Sequence, residues 1–339
     1  MKNKILYLLT VCICRCMSMF GQTDFEYRIV SNMVDSTLNG WEISLTNDSD
    51  WITEDFGVVE NGTIDIKGES KRTFPAALHI RNTNPENKKN FNINLIIEPG
   101  TIVVDVNNRI PLSGGVLNEG MKEWVNRVNQ AESYQEARNI NLEIIQKNSS
   151  NGLGELVLLN YGKQCSPDDW LKVTAILDEE TMNLPAIDNI TERMERLLPV
   201  WEGQPFKDIS GKDINGESIN LSEYVGKGKY VVADLWASWC KPCIILAKEV
   251  LKPIYDKYKN NPNVQFLGVS IDDIRKVIDL NDVPWPQIME CKELRKTYVI
   301  DAIPQVIIFG PDGTILRRHI GELHVSEVLD KFLQSDIDE

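Results

Sequence analysis

Cys240 and Cys243 are the side chains whose type and spacing point most directly to chemistry. They flank Lys241 and Pro242 where the near-continuous apolar run Tyr230–Trp236 gives way to a helical pattern, so the pair is expected in the first turn of a helix. Cysteines at i and i+3 of that turn share one face, within the ~4.4–6.8 Å Cα separation that a disulfide tolerates. The unpaired N–H groups and positive dipole end of the helix stabilise a thiolate on the first sulfur. That lowers its pKa and makes Cys240 the attacking group. Cys243, one turn further in, then resolves the mixed disulfide. Pro242 suits a first turn because the N–H it lacks would have no partner there.

Other chemistries fit this spacing less well. Half a zinc site needs two more ligands, but Cys165 and Cys291 stand apart and His79, His319 and His324 show no ligand spacing, so no metal is expected. Closing so short a loop as a structural disulfide gains little. A redox fold retained only as a binding scaffold stays open at this stage. Cys165 and Cys291 are read as buried thiols whose pairing the spacing does not reveal.

The elements that must position the pair follow from hydrophobic periodicity. Short apolar runs at Phe25–Val30, Trp41–Leu45, Gly62–Ile66, Ala76–Ile80, Phe91–Ile97 and Thr101–Val106, separated by turn residues, predict a small antiparallel β-domain over 22–112. Met121, Trp124, Val125 and Val128 then adopt helical spacing. Ser166-Pro167-Asp168-Asp169 caps a second helix, and Ile187, Ile190, Met194 and Leu197 mark a third, giving a helical segment over 113–200. Trp124 and Trp170 read as core residues. From 201 to 339 strands and helices alternate. Buried strands are expected at Tyr230–Trp236, Val264–Ile271 and Pro304–Phe309, and a fourth strand at Thr314–Ile320. Helices are expected at Ile244–Tyr258, which Pro253 would kink, and at Val325–Leu333. That is an α/β fold with a mixed sheet flanked by helices.

Composition sets the outer limits. At 339 residues the chain is longer than one ordinary domain. With 42% hydrophobic and 25% charged residues it has the balance of a soluble globular protein. A net charge of −14 argues against nucleic acid as a partner, because such binding depends on neutralising phosphates with Lys and Arg. Residues 1–21 read as an export signal, with Lys2 and Lys4 before the apolar run Ile5–Cys14 and Gly21 before a possible cleavage point. Its removal would take Lys2, Lys4 and Arg15, lowering the charge from −14 to −17, and would place the chain outside the cytoplasm. Four cysteines then remain in an oxidising compartment, too few for a disulfide framework.

The stretches Gly203-Gln204-Pro205-Phe206, Ala233-Asp234-Leu235-Trp236-Ala237-Ser238-Trp239-Cys240-Lys241-Pro242-Cys243 and Ile303-Pro304 before Pro311-Asp312-Gly313 resemble the secreted bacterial thioredoxin-fold proteins of the TlpA/ResA class. The resemblance covers about 203–335. The β-plus-helical region before it resembles the segment of unassigned role that often precedes such domains. Several expectations follow from the resemblance. The activity would be thiol–disulfide exchange with exported proteins, more reductive than oxidative, with electrons from a membrane thiol donor and no bound cofactor. Pro304 matches a cis-proline that faces the disulfide and, with Ile303, Trp239, Lys241 and Pro242, would hold an incoming chain. Asp234 matches a buried carboxylate that relays the proton of the second cysteine; burial would raise its pKa. It is otherwise a satisfied polar residue near a strand end. The front half is a candidate surface for self-association, and in the alternative reading it carries the function.

Two departures qualify the resemblance. Leu246 stands where ResA-type members usually carry Glu, three residues after the second cysteine, which shifts the acid–base role toward Asp234. Ala237 stands where a peroxiredoxin needs Thr, which argues against peroxide chemistry. Lys241 would favour the Cys240 thiolate and Asp234 would oppose it, leaving the potential unset.

Overall fold

In the computed structural model, which describes residues 24–84, 89–275, 283–318 and 325–335, the alternating front of the chain forms eight strands. They are β1 (Phe25–Ser31), β2 (Glu42–Asn47), β3 (Thr53–Val58), β4 (Asp65–Ser70), β5 (Phe74–Arg81), β6 (Asn90–Ile97), β7 (Gly100–Asp105) and β8 (Ile110–Ser113). They pair as two four-stranded sheets, ordered β4-β1-β7-β8 and β3-β2-β5-β6. Pairing is antiparallel apart from β1 with β7, which run parallel. Inward residues such as Ile29, Ile43, Leu78, Ile93 and Ile102 share one apolar core. β3 is an edge strand whose side chains are nearly all exposed, so no alternating pattern marks it in the sequence.

Six helices follow: α1 (Val116–Gln130), α2 (Tyr134–Lys147), α3 (Gly152–Tyr161), α4 (Pro167–Thr174), α5 (Glu179–Met182) and α6 (Pro185–Leu197). The start of α1 is held by Glu98, whose carboxylate accepts from the N–H groups of Leu117 and Asn118, both at 2.9 Å. α3 is buried nearly all round and packs on β5 and β6. Gly152 permits that approach, since a Cβ there would meet the Phe74 nitrogen at 2.8 Å. The residues up to Cys165 together with Leu171–Asp188 make one compact unit, and Ser166–Trp170 with those from Asn189 onward make the other. The expected export signal, His319 and His324 lie outside the described residues.

The second unit contains β9 (Ser210–Lys212), β10 (Ser218–Asn220), β11 (Tyr230–Trp236), α7 (Lys241–Ile245), α8 (Lys252–Tyr258), β12 (Val264–Ser270), β13 (Gln287–Ile288), α9 (Leu294–Thr297), β14 (Gln305–Phe309), β15 (Ile315–Arg318) and α10 (Val325–Ser335). Its main sheet is ordered β13-β12-β11-β14-β15. β11 runs parallel to β12 and antiparallel to β14, so the sheet is mixed, as expected of a thioredoxin-like fold. All seven residues of β11 are buried, which explains its continuous rather than alternating apolar pattern. Between α7 and α8 the helix widens to π-helical turns over Leu246–Leu251. Pro253, in the first turn of α8, has no N–H to return to the carbonyl of Glu249, and the widened turns carry the helix past it without a break.

Candidate active site

β11 delivers the chain from the centre of the sheet to a short loop, Ala237–Trp239, and then directly into α7. Cys240 is the N-cap of that helix, Lys241 and Pro242 are its first two residues, and Cys243 is the third. The two cysteines form a disulfide with Cα atoms 5.3 Å apart. The backbone N–H of Cys243 donates to Cys240 Sγ at 3.3 Å, so the outer sulfur takes the place that a hydroxyl or carboxylate holds at most helix starts. When the bond is reduced, the same donor and the helix dipole favour a thiolate on Cys240.

The two sulfurs are not equivalent. Cys243 has no exposed surface, whereas Cys240 retains 5%. They sit in an apolar cluster with Trp236, Ala237, Ile274 and Met289, bordered by Ile271 and Ile303. Trp239, Lys241 and Pro242 are exposed around the outer sulfur, Trp239 at 66%. The Ile303–Pro304 peptide is cis, and the Ile303 carbonyl oxygen lies 3.8 Å from Cys240 Sγ. Seven of the eight residues singled out in the sequence thus fall on this junction or on the loop facing it.

The eighth, Asp234, lies on β11 with its residue 2% exposed. Neither carboxyl oxygen has a hydrogen-bond partner. Burial alone pushes its pKa up to about 8, because nothing replaces the water that an ionised carboxylate would need. The satisfied polar residue that the sequence also allowed is therefore not what the fold contains. Leu246, one turn beyond Cys243, is buried in the neighbouring core among Tyr230, Val232 and Leu251. Cys291 is a buried thiol whose pKa burial raises to about 12, and Cys165 is buried as well. Among the described residues no cluster of three or more His, Cys, Asp or Glu is placed to hold a metal, and no helix is long and apolar enough to cross a membrane.

Asp272, just past the end of β12, was not marked by any sequence signal. Its carboxylate accepts from the Ser238 N–H at 3.0 Å, from the Ser238 hydroxyl, and from the Ser270 hydroxyl at 2.7 Å. Partial burial opposes its ionisation, but these donors outweigh it and hold the pKa below the ordinary value. The residue ties the loop bearing Trp239 and Cys240 to the adjacent strand. The 34 residues separating Asp272 from Ser238 leave no local pattern to read.

A family model described as thioredoxin-like matches residues 228–315, from just before β11 to the start of β15. The chain is 30% identical over 136 residues to the thioredoxin-like protein YneN of Bacillus subtilis, covering 39% of this chain and 79% of that protein. The chain belongs to the thioredoxin-like family. This thioredoxin-like protein is also 28% identical over 129 residues to the thiol-disulfide oxidoreductase ResA of Bacillus thuringiensis subsp. konkukian, covering 36% of this chain and 70% of that one. Among solved structures, a thiol-disulfide oxidoreductase from Bacteroides fragilis aligns at 28% identity with a TM-score of 0.35, over 38% of this chain and 99% of that one. The activity of this thioredoxin-like protein is protein thiol–disulfide exchange.

Proposed function

We propose that this protein exchanges disulfides with exported proteins outside the cytoplasm through the Cys240–Cys243 couple, and that it acts as a reductase. The observation that carries the reading is the Cys240 sulfur at the helix start, accepting the Cys243 N–H while its partner sulfur is sealed from solvent. In the reduced protein the Cys240 thiolate attacks one sulfur of a partner disulfide, forming a mixed disulfide and releasing the partner's other sulfur as a thiolate. The Cys243 thiol then loses its proton and attacks Cys240 Sγ. This restores the internal disulfide and frees the second partner thiolate, so two electrons pass to the partner. A membrane thiol donor returns them.

Asp234 is assigned as the acceptor of the Cys243 proton. A carboxyl with a pKa of about 8 changes charge near neutrality, where an ordinary aspartate would be permanently ionised. Pro304 and Ile303 are assigned to hold the partner chain, and Trp239, Lys241 and Pro242 to form the rim that it meets. The proximity of the Ile303 carbonyl to Cys240 Sγ supports this, since it sets the facing loop within reach of the reacting atom. In the same reading the chain divides into a β-rich part over 22–112, a helical part over 113–200 and a thioredoxin-like part over 201–339, with self-association through the front half.

Insulin reduction in the presence of a thiol donor tests the reading. Cys240→Ser should abolish it, and Cys243→Ser should accumulate a mixed disulfide whose attached protein mass spectrometry can name. Activity surviving in Cys240→Ser removes the proposal.

A further inference from the structure

The segment Tyr298–Asp301 leads from α9 into the loop that carries Ile303 and Pro304. Within it, Val299 is buried with φ at 52°, a left-handed conformation that a β-branched residue rarely adopts. Such a backbone persists where the surroundings over-determine it.

Three arginines from three elements hydrogen-bond to the residues on either side of Val299. Arg318, on β15 and only 4% exposed, donates through Nη2 to the Tyr298 carbonyl at 2.7 Å and through Nη1 to the Val200 carbonyl. Arg295, on α9, donates to the carbonyls of Ile300 at 3.3 Å and Asp301 at 3.1 Å. Arg193, on α6, donates through Nε to the Asp301 carboxylate at 2.6 Å. On the other flank the Tyr298 hydroxyl donates to the Lys207 carbonyl at 2.7 Å and accepts from its N–H at 3.1 Å. Burial depresses Arg318 to about 10, a cost the fold carries in order to keep a guanidinium on this segment.

We infer that Arg193, Arg295 and Arg318 are positioning residues that clamp Tyr298–Asp301 and thereby hold the Ile303 carbonyl and Pro304 in register with the Cys240 sulfur for an incoming polypeptide. The inference rests on the assignment of Ile303 and Pro304 as partner-holding residues. Arg193 carries it furthest, because it precedes the stretch matched by the family model, and the carboxylate it grips is 62% exposed. An exposed carboxylate is not needed to complete a core, so its removal probes the loop rather than the fold.

The test uses the full chain and the variants Asp301→Asn, Arg193→Met and Asp301→Glu, all confirmed folded by thermal melting. For insulin reduction, Asp301→Asn and Arg193→Met should each raise KM about five-fold, the worth of about one kcal/mol of ion pair, with kcat nearly unchanged. Asp301→Glu, which keeps the carboxylate, should restore KM. The rate with a small aromatic disulfide, which needs no polypeptide cradle, should be the same in all of them. Pro304→Ala separates this inference from the reading beneath it. A raised insulin KM in Pro304→Ala with no change in Asp301→Asn and Arg193→Met overturns the clamp alone. An unchanged KM in Pro304→Ala overturns the partner-holding assignment and the clamp with it.

Discussion

A sulfur that accepts a backbone N–H and a buried carboxyl without partners are the residue-scale features on which the proposed exchange rests. Cys240 and Cys243 are three residues apart, yet the first caps a helix and the second is its third residue, which gives them different surroundings. That much was legible in the sequence, because the spacing and the strand-to-helix change are local. The state of Asp234 was legible only in outline: the sequence placed it on the buried strand but could not show that both oxygens lack partners. The consequence is a stability that depends on pH. Below about pH 4 folded and unfolded chains both hold the proton. Between there and about pH 8 the unfolded chain releases it while the folded chain keeps it, so stability falls as pH rises and levels off above the folded value. The slope should approach about 1.4 kcal/mol per pH unit. Urea denaturation of the oxidised protein between pH 5 and pH 8 should show this decline, and Asp234→Asn should flatten it. An equal decline in the variant would mean that another group is responsible.

The junction between β11 and α7, and the segment leading to the loop that faces it, carry contacts that no local pattern announces. Asp272 holds Ser238 from the end of the neighbouring strand, and Arg193 reaches Asp301 across 108 residues of sequence. The π-helical turns of Leu246–Leu251 were equally hidden, since Pro253 alone suggests a kink and not a widened helix. The edge strand β3 and the two-residue strand β13 carry too little alternation to be read in advance. Asp272→Ala leaves the Ser238 N–H and two hydroxyls without their acceptor and should cost about 2 kcal/mol, measured by urea denaturation. It should also slow insulin reduction by loosening the loop that carries Trp239 and Cys240. An unchanged midpoint and rate would show that water replaces the carboxylate. Leu251, with no exposed surface, closes the widened turns against the core shared with Phe266 and Leu329. Leu251→Ala should cost roughly 2–5 kcal/mol through the cavity it leaves. A loss below roughly 1 kcal/mol, the cost of about one methylene, would mean that the π-helical segment collapses to fill it.

Across the whole molecule, fifty acidic side chains against thirty-six basic ones bias which partners approach quickly. A field of this sign attracts cationic polypeptides and repels anionic ones, and salt screens both within about 10 Å at 0.1 M. Exchange with a basic disulfide-bonded substrate should therefore be faster than with an acidic one of similar size at low salt. The two rates should converge as salt is raised; rates that keep their ratio from low to high salt would show that encounter is not electrostatically steered. Net charge and the order of elements were legible from composition and periodicity. The division of the helical stretch was not: α4 and α6 each have residues in both compact units, because helical periodicity records which residues share a face and not which core that face joins.

The most direct measurement is the alkylation rate of Cys240 in the reduced protein, followed from pH 4 to pH 10 with iodoacetamide and localised by peptide mass spectrometry. A thiolate held by the Cys243 N–H and the helix start predicts a half-maximal rate well below the ~8.5 of a free cysteine, with Cys243 unlabelled. Labelling that begins only above that value, or that falls on Cys243 first, would contradict the assignment of Cys240 as the attacking sulfur.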